Sequence, residues 1–218
     1  MSNGNLDLST IRLVSWDVDG TLFSYWRLGF ELMKSSFRNV HTRSWIKNFH
    51  EILDFHRSVE AQRRNSDCGV IQTELQRFAQ AQAREKQALE KALRKIAPRR
   101  HVVALIESFA ASATIQVALS DFECDYKLDA LDLSRYFAKT YSCEQIGFWK
   151  PSPIPLAQIQ SDFGIRPEQH LHIGDRQATD GEACSRNGCQ FLPIHSTALL
   201  TAVPTAAGQI STSNLTQS

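Results

Sequence analysis

The chain of 218 residues lacks several features that mark large protein classes. It has no apolar run near the roughly 18 residues that a membrane-spanning helix needs. Residues 1–10 are polar and acidic rather than basic and then apolar, as an export signal would be. The five cysteines are an odd set without a CxxC pair, which favours neither a disulfide framework nor a zinc site. These absences predict a soluble, cytoplasmic protein with no membrane partner.

Short apolar runs alternate with helical patterns outside residues 24–97, which is typical of βαβ units and a parallel sheet. Strands are predicted at 11–16, 114–119, 137–142, 170–173 and 189–194. Helices are predicted between them at 99–113, 126–131, 152–163 and 179–187. The sequence therefore indicates an α/β protein with a Rossmann-like core.

Residues 24–97 interrupt this alternation. They carry apolar side chains at helical spacing, followed by a stretch with high helix propensity. The predicted domains are accordingly a core of residues 1–23 and 98–195, a smaller all-helical cap at 24–97, and a flexible tail at 196–218, where large apolar residues are few.

The chain has nearly equal numbers of basic and acidic residues, but they are unevenly distributed along the sequence. Residues 24–97 hold 14 basic and 8 acidic residues, and the remainder holds 10 and 15. A basic cap over an acidic core would attract an anionic substrate while the core attracts a cation. The alternative is that the helices of the cap merely have basic faces in contact with solvent, which would give the same residue counts without a role in substrate binding. Nucleic-acid binding is the weaker prediction, because the arginines show no aromatic interleaving or known module pattern.

Polar residues follow several of the predicted strands. The first strand runs into Asp17-Val-Asp19-Gly-Thr21, where two carboxylates could hold a metal and supply a nucleophile and an acid or base. Ser120 ends the second strand, Lys150 lies in Gly-Phe-Trp-Lys-Pro, and Gly174-Asp175 follows the fourth strand shortly before Asp180. Because open parallel sheets bind ligands at the carboxyl ends of their strands, we expect these segments to converge.

In this order, the four segments resemble the motifs of the haloacid dehalogenase-like hydrolases, with a helical cap inserted after the first motif. The resemblance implies a Mg²⁺-dependent phosphohydrolase that acts on a small phosphorylated metabolite. It also implies that Asp17 is the nucleophile and forms an aspartyl-phosphate. Phosphate monoesters hydrolyse very slowly in water, and two successive displacements lower the difficulty of each step.

The same resemblance implies roles for the other motif residues. Asp19 would protonate the leaving group and later accept a proton from the attacking water. A dehalogenase would be expected to have a non-acidic residue there. Ser120 would bind the transferring phosphoryl group, and Lys150 would offset the repulsion between carboxylate and phosphate, although a lone lysine is more often on the surface. Thr21 would order the first loop by hydrogen bonding, with substrate contact as the alternative.

A magnesium ion prefers octahedral oxygen ligands and keeps some of its waters. The side chains of Asp17 and Asp175 and the backbone carbonyl of Asp19 form a suitable partial set. Asp180 is either a further ligand or a residue that orients one.

Three further charged residues are candidates for substrate binding. Asp121 stands where many relatives carry asparagine. Its side chain either points inward, where it would oppose a phosphate, or outward, where it would cap the next helix, and we favour the second. Arg63 and Arg64 fall in a predicted loop of the cap and could recognise a second acidic group of the substrate, with surface or packing roles as the alternative.

Some residues with reactive side chains are expected to be structural. His170 and His172 alternate on the fourth predicted strand, where packing in the core is favoured over metal binding. The cysteines have no neighbours in sequence that would stabilise a thiolate.

Other functions stay open at this point. A phosphomutase would share the aspartyl-phosphate step, and a haloacid dehalogenase is disfavoured by Asp19. A catalytically silent binding protein is a further alternative, against which the intact motifs argue. The residues do not indicate an oligomeric state.

Overall fold

A five-stranded parallel sheet forms the centre of the computed structural model, which describes residues 8–38, 42–64 and 68–195. The strands are β1 (Leu13–Asp17), β2 (Ile115–Ser120), β3 (Lys139–Ser142), β4 (His170–Gly174) and β5 (Gln190–Pro193). Their order across the sheet is β3-β2-β1-β4-β5, and every neighbouring pair is parallel. The predicted α/β fold with a Rossmann-like sheet is confirmed. The tail predicted at 196–218 lies outside the described residues.

Helices flank the sheet and fill the segment between β1 and β2. The core helices are α5 (Arg100–Ala111), α6 (Asp125–Ala130), α7 (Cys143–Ile146), α8 (Ile154–Phe163) and α9 (Glu182–Asn187). Before them come α1 (Tyr25–Arg38), α2 (Thr42–Arg63), α3 (Gln72–Arg77) and α4 (Ala79–Leu93). In the described ranges, no helix is both long enough and apolar enough to cross a membrane.

The central strand β1 is buried along its whole length, as expected for a parallel strand covered on both faces. Alternate residues face opposite sides of the sheet, so they join different apolar clusters. Trp16 packs edge-on against Phe109 of α5, and Leu13 belongs to the cluster that contains Trp149 and Leu156. The ends of β1 are therefore held by packing on both sides.

The helices α1 to α4, here called the helical insertion, pack on one another and on the core. The ring of Phe55 of α2 packs in a tilted arrangement against Phe78 and against Phe122 of the core, at ring-centroid distances of 5.6 Å and 5.3 Å. Where the insertion ends, the Arg99 N–H donates to the Leu22 carbonyl at 2.9 Å. This hydrogen bond joins the segment that follows the insertion to the segment that precedes it. The division into a core and a cap at residues 24 and 97 stays a prediction.

Candidate active site

The carboxyl ends of three neighbouring strands bring the motif residues to one edge of the sheet. Asp17 ends β1, Ser120 ends β2, and Asp175 directly follows β4. The register of parallel pairing puts Asp17 opposite Leu119 and Ser120 opposite Ser142. This edge is where open α/β sheets bind ligands.

Lys150 reaches this edge with a fully buried side chain. Its Nζ donates to Asp17 Oδ1 at 2.6 Å and to Asp180 Oδ1 at 2.7 Å. Burial alone would lower the pKa of the Lys150 ammonium, but the two carboxylates outweigh it and hold that pKa well above its usual value. Lys150 is therefore a fixed positive charge beside Asp17 rather than a surface lysine.

The Asp17 carboxylate is held at both oxygens. Lys150 binds one, and the Thr21 hydroxyl donates to the other at 2.8 Å, which is the hydrogen bonding within the first loop that was predicted for Thr21. Contact between Thr21 and substrate stays a prediction. Burial raises the pKa of Asp17 to about 8 even though Lys150 opposes the shift. A further cation at this place would favour the charged form of Asp17.

Three carboxylates, from Asp17, Asp175 and Asp180, offer oxygens that lie within 4.8 Å of one another. Lys150 is shared by two of them, and Asp175 Oδ1 is buried without a hydrogen-bond partner among the described residues. Burial and then Asp180 raise the pKa of Asp175. Because the donor set consists of hard oxygens with an excess of negative charge, it fits Mg²⁺.

Gly20 lets the first loop come this close to Asp175. Its φ of 89° lies in the left-handed region, and a Cβ placed there would be 2.4 Å from Asp175 Oδ2. Only glycine meets both conditions without strain. The loop that carries Asp19 is thus drawn against the acidic cluster.

The Asp19 carboxylate is not part of that cluster. Its Oδ2 accepts hydrogen bonds from Ser120 Oγ at 3.0 Å and from Lys127 Nζ at 2.5 Å. The carboxylate therefore lies beside Ser120, the predicted phosphoryl-binding residue. A role for the Asp19 backbone carbonyl as a metal ligand stays a prediction.

Lys127 is a site residue that the sequence did not reveal. It lies on α6, seven positions after Ser120, and its side chain is only 3% exposed. Burial would lower the pKa of Lys127, but Asp19 more than compensates and raises it. Since α6 is a single short helix, no periodic signal singles out which of its polar residues turns inward.

We expect Lys127→Met to lower kcat/KM for a phosphate monoester by about 100-fold, the lower end of what positioned acid and base groups contribute. Without Lys127, Asp19 loses a charged hydrogen bond that fixes its Oδ2 beside Ser120. A positioning role predicts a changed pH profile of kcat/KM in addition to the lower rate. Lys139→Met, which removes a half-exposed lysine bound to Asp162, is the matched control. Equal losses in the two variants would contradict the assignment.

The structure corrects the expectations for Asp121 and Arg63. Arg63 is not in a loop, since it is the last residue of α2, and it donates hydrogen bonds to Asp121 and Glu60. Asp121 does not cap the following helix, whose first turn begins after Cys124 without a side-chain cap. A nearby arginine provides a stronger partner than the free N–H groups of a helix with six residues.

The direction of the pKa shift of Asp121 is consistent with its ion pair with Arg63, which joins the core to the helical insertion. Burial would raise the pKa of Asp121, but Lys150 and Arg63 lower it. Arg176 adds a second guanidinium at 3.6 Å from Asp121 Oδ2. A cavity lies between the helical insertion and the core, and Arg63 is among its lining residues. Arg64 is exposed and is not one of them, so the two predicted arginines lie in different surroundings.

The two strand histidines are buried, as predicted, and form a hydrogen-bonded chain behind the acidic cluster. Ser15 Oγ lies 2.7 Å from His170 Nε2 and 2.7 Å from His172 Nδ1. His172 Nε2 lies 3.2 Å from Asp180 Oδ1. Burial lowers the pKa of both histidines, which favours neutral rings that orient Asp180.

A family model described as haloacid dehalogenase-like hydrolase matches residues 14–194. The chain belongs to this family. Membership of this family explains both the fold and the order of the four motifs. The family hosts more than one reaction, so the match establishes the family and leaves the reaction to the site.

Individual relatives show how far the similarity extends. A phosphoglycolate phosphatase of Salmonella choleraesuis is 36% identical over 62 residues, which are 28% of this chain and 24% of that protein. The match thus spans about a quarter of the length of the curated relative.

Solved structures share the fold at low identity. The putative HAD-hydrolase YfnB from Bacillus subtilis, described as bound to magnesium, has a TM-score of 0.60 at 15% identity, covering 83% of this chain and 87% of its own. A putative beta-phosphoglucomutase from Thermotoga maritima has a TM-score of 0.58 at 17% identity, covering 88% and 92%. These likenesses show the fold alone.

Proposed function

We propose that the chain is a Mg²⁺-dependent phosphohydrolase that acts on a small phosphorylated metabolite through an aspartyl-phosphate at Asp17. The observation that carries the proposal is the pair of differently placed carboxylates. Asp17 lies with Lys150 in the acidic cluster, whereas Asp19 lies apart from it with Ser120 and Lys127. Two carboxylates in such unlike surroundings are suited to two different roles.

In the first step, an oxygen of Asp17 attacks phosphorus while the bond from phosphorus to the leaving-group oxygen breaks. Lys150 and Thr21 hold the carboxylate in place, so little reorganisation is needed before attack. Asp19 has to enter this step in its protonated form, and it gives that proton to the departing oxygen. The Ser120 hydroxyl, which donates to Asp19 in the structure, would turn this hydrogen bond to the phosphoryl oxygens when substrate is bound.

In the second step, water attacks phosphorus, the bond to Asp17 breaks, and phosphate leaves. Asp19, now ionised, takes the proton of the attacking water, so both carboxylates return to their initial states. Lys127 keeps the Asp19 oxygen directed to the reaction in both steps. Protons and bonds therefore balance over the cycle without any other co-reactant than water.

The carboxylates of Asp17, Asp175 and Asp180 would hold the Mg²⁺, with the Asp19 carbonyl as a further ligand. When bound, the ion supplies positive charge that offsets the repulsion between the phosphate and Asp17. His172 orients Asp180 from behind. Magnesium in the related YfnB structure supports this assignment at the level of the fold.

Two features support phosphate chemistry over the alternatives. The acidic Asp19, bound to Lys127, is suited to proton transfer, for which a haloacid dehalogenase has no need at that position. The curated relatives are named phosphoglycolate phosphatases, in agreement with phosphomonoester hydrolysis. A phosphomutase is the remaining alternative, and it would return a bisphosphate to product rather than release phosphate.

The described cysteines are free, which fits a cytoplasmic location.

The test is hydrolysis of para-nitrophenyl phosphate by the full chain with and without Mg²⁺. We expect chelation to lower the rate by about 1000-fold or more, because the attacking carboxylate and the phosphate then repel each other without compensation. Adding Mg²⁺ should restore it. Calorimetric titration of Mg²⁺ into Asp175→Asn should show weaker binding than into Asp132→Asn, which changes an exposed carboxylate. Turnover that survives chelation would contradict the proposal.

A further inference from the structure

A cavity of about 350 Å³ lies between the helical insertion and the core, and Asp19 and Lys127 are part of its wall. Cavities of this volume are large enough for a small ligand. Because the leaving group departs on the side of Asp19, this cavity is where the alcohol part of a substrate would lie. Apolar and aromatic side chains form much of the wall, namely Leu28, Phe55, Val59, Leu89, Phe122 and Tyr126.

The described cations around the cavity all have carboxylate partners within 4.0 Å. They are Lys86 with Glu123, Lys127 with Asp19, Arg63 with Glu60 and Asp121, and Arg176 with Glu60, Asp121 and Asp175. His56, which is a cation only when protonated, lies 2.9 Å from Glu85. A second anionic group on the substrate would have to share a cation that already faces a carboxylate, so it would place negative charge beside negative charge. Where it displaced Asp121, whose side chain is only 14% exposed, a buried negative charge would lose its partner, which is costly.

Among the acidic residues of the cavity wall, Glu144 differs from the others because it has no cation as a partner among the described residues. It lies on α7 in the cavity wall, and among the described residues its carboxylate meets only the amide of Gln82, at 3.5 Å. No described cation lies within ion-pair distance of it. Burial and the neighbouring Glu123 raise the pKa of Glu144, as expected for a carboxylate that lacks a positive partner.

We propose that the substrate's alcohol part carries no carboxylate or second phosphate and presents a hydrogen-bond donor, an ammonium or a hydroxyl group, to Glu144. The proposal rests on the proposed phosphohydrolase function and names its substrate class. It replaces the expectation that Arg63 or Arg64 binds a second acidic group, since Arg63 is bound to Asp121 and Arg64 lies outside the cavity. The apolar walls would contact the carbon skeleton of the same group.

The experiment compares phosphate monoesters of similar size that end in a neutral, a positive or a negative polar group. One set is hydroxyethyl, aminoethyl and carboxymethyl phosphate, the last being phosphoglycolate. A larger set is phenyl phosphate with hydroxyethyl, aminoethyl or carboxymethyl in the para position, where the methylene group keeps the leaving groups alike. We expect kcat/KM for the carboxylate compound to be at least about tenfold below both others in each set.

Glu144→Gln tests the named residue. It removes the negative charge and retains the shape, so the ratio of kcat/KM between aminoethyl and carboxymethyl compounds should fall by about tenfold. Glu168→Gln, an exposed carboxylate away from the cavity, should leave the ratio unchanged. A higher kcat/KM for the carboxylates, or a ratio that Glu144→Gln does not change, would overturn the inference while the phosphohydrolase function stands. Absence of turnover on both sets and on para-nitrophenyl phosphate would overturn the function itself.

Discussion

Asp17→Asn is expected to lower kcat for para-nitrophenyl phosphate by about 10⁵-fold, the size of effect seen when a nucleophile is removed from a covalent mechanism. The amide has nearly the same shape and can still accept the hydrogen bond from Thr21. Lys150 keeps Asp180 as its partner, so the site should stay folded. The loss would then report on chemistry rather than on structure.

The control for Asp17→Asn is Asp162→Asn, which changes a carboxylate bound to Lys139 and Tyr141, neither of which is a motif residue. Its kcat should stay within about threefold of the parent, since surface ion pairs contribute little. Both variants should be compared by circular dichroism. An Asp17→Asn protein that retains more than a hundredth of the parent rate would contradict the assigned nucleophile.

The second large effect is expected for Lys150→Met, in stability as well as in activity. Lys150 is the charged partner of two buried carboxylates, and its removal leaves both without compensation. Breaking buried ion pairs in this way costs about 3–5 kcal/mol. Urea unfolding followed by tryptophan fluorescence measures the loss, and turnover should fall below detection in the same preparation.

Two comparisons make the Lys150 result specific. Lys139→Met removes a half-exposed lysine bound to Asp162 and should cost at most about 1 kcal/mol. Because buried carboxylates without a partner have a raised pKa and take up protons, the deficit of Lys150→Met should shrink as the pH is lowered. A loss in Lys150→Met no larger than in Lys139→Met would show that Lys150 is not the electrostatic centre of the site.

Local sequence patterns predict most of the sheet and its motifs. Strands β1, β2 and β4 are short runs with apolar residues and are almost wholly buried, whereas the edge strand β3, Lys139–Ser142, is polar and partly exposed. The position of a polar residue at the end of an apolar run predicts the edge at which it lies. The helix predicted from residue 179 is an instructive difference. It begins at Glu182, because a π-helical turn at Gln177–Gly181 comes first and points Asp180 towards Lys150.

Contacts between distant residues are harder to predict from one sequence. Lys127 and Asp19 are separated by 108 positions, and Arg63 and Asp121 by 58. Neither pair leaves a periodic trace, because each depends on how a helix is rotated once its apolar residues are packed. For that reason the sequence indicated the chemistry at the sheet edge better than the charge pairing in the cavity.

Direct detection of the covalent intermediate is the measurement that tests the central claim. The full chain with Mg²⁺ and para-nitrophenyl phosphate is quenched in acid during turnover, reduced with borohydride, digested, and analysed by mass spectrometry. A phosphorylated aspartate is reduced to homoserine, so the account predicts homoserine at position 17 and unchanged aspartate at position 19. Turnover that leaves Asp17 unmodified, or that places the modification on Asp19, would contradict the mechanism.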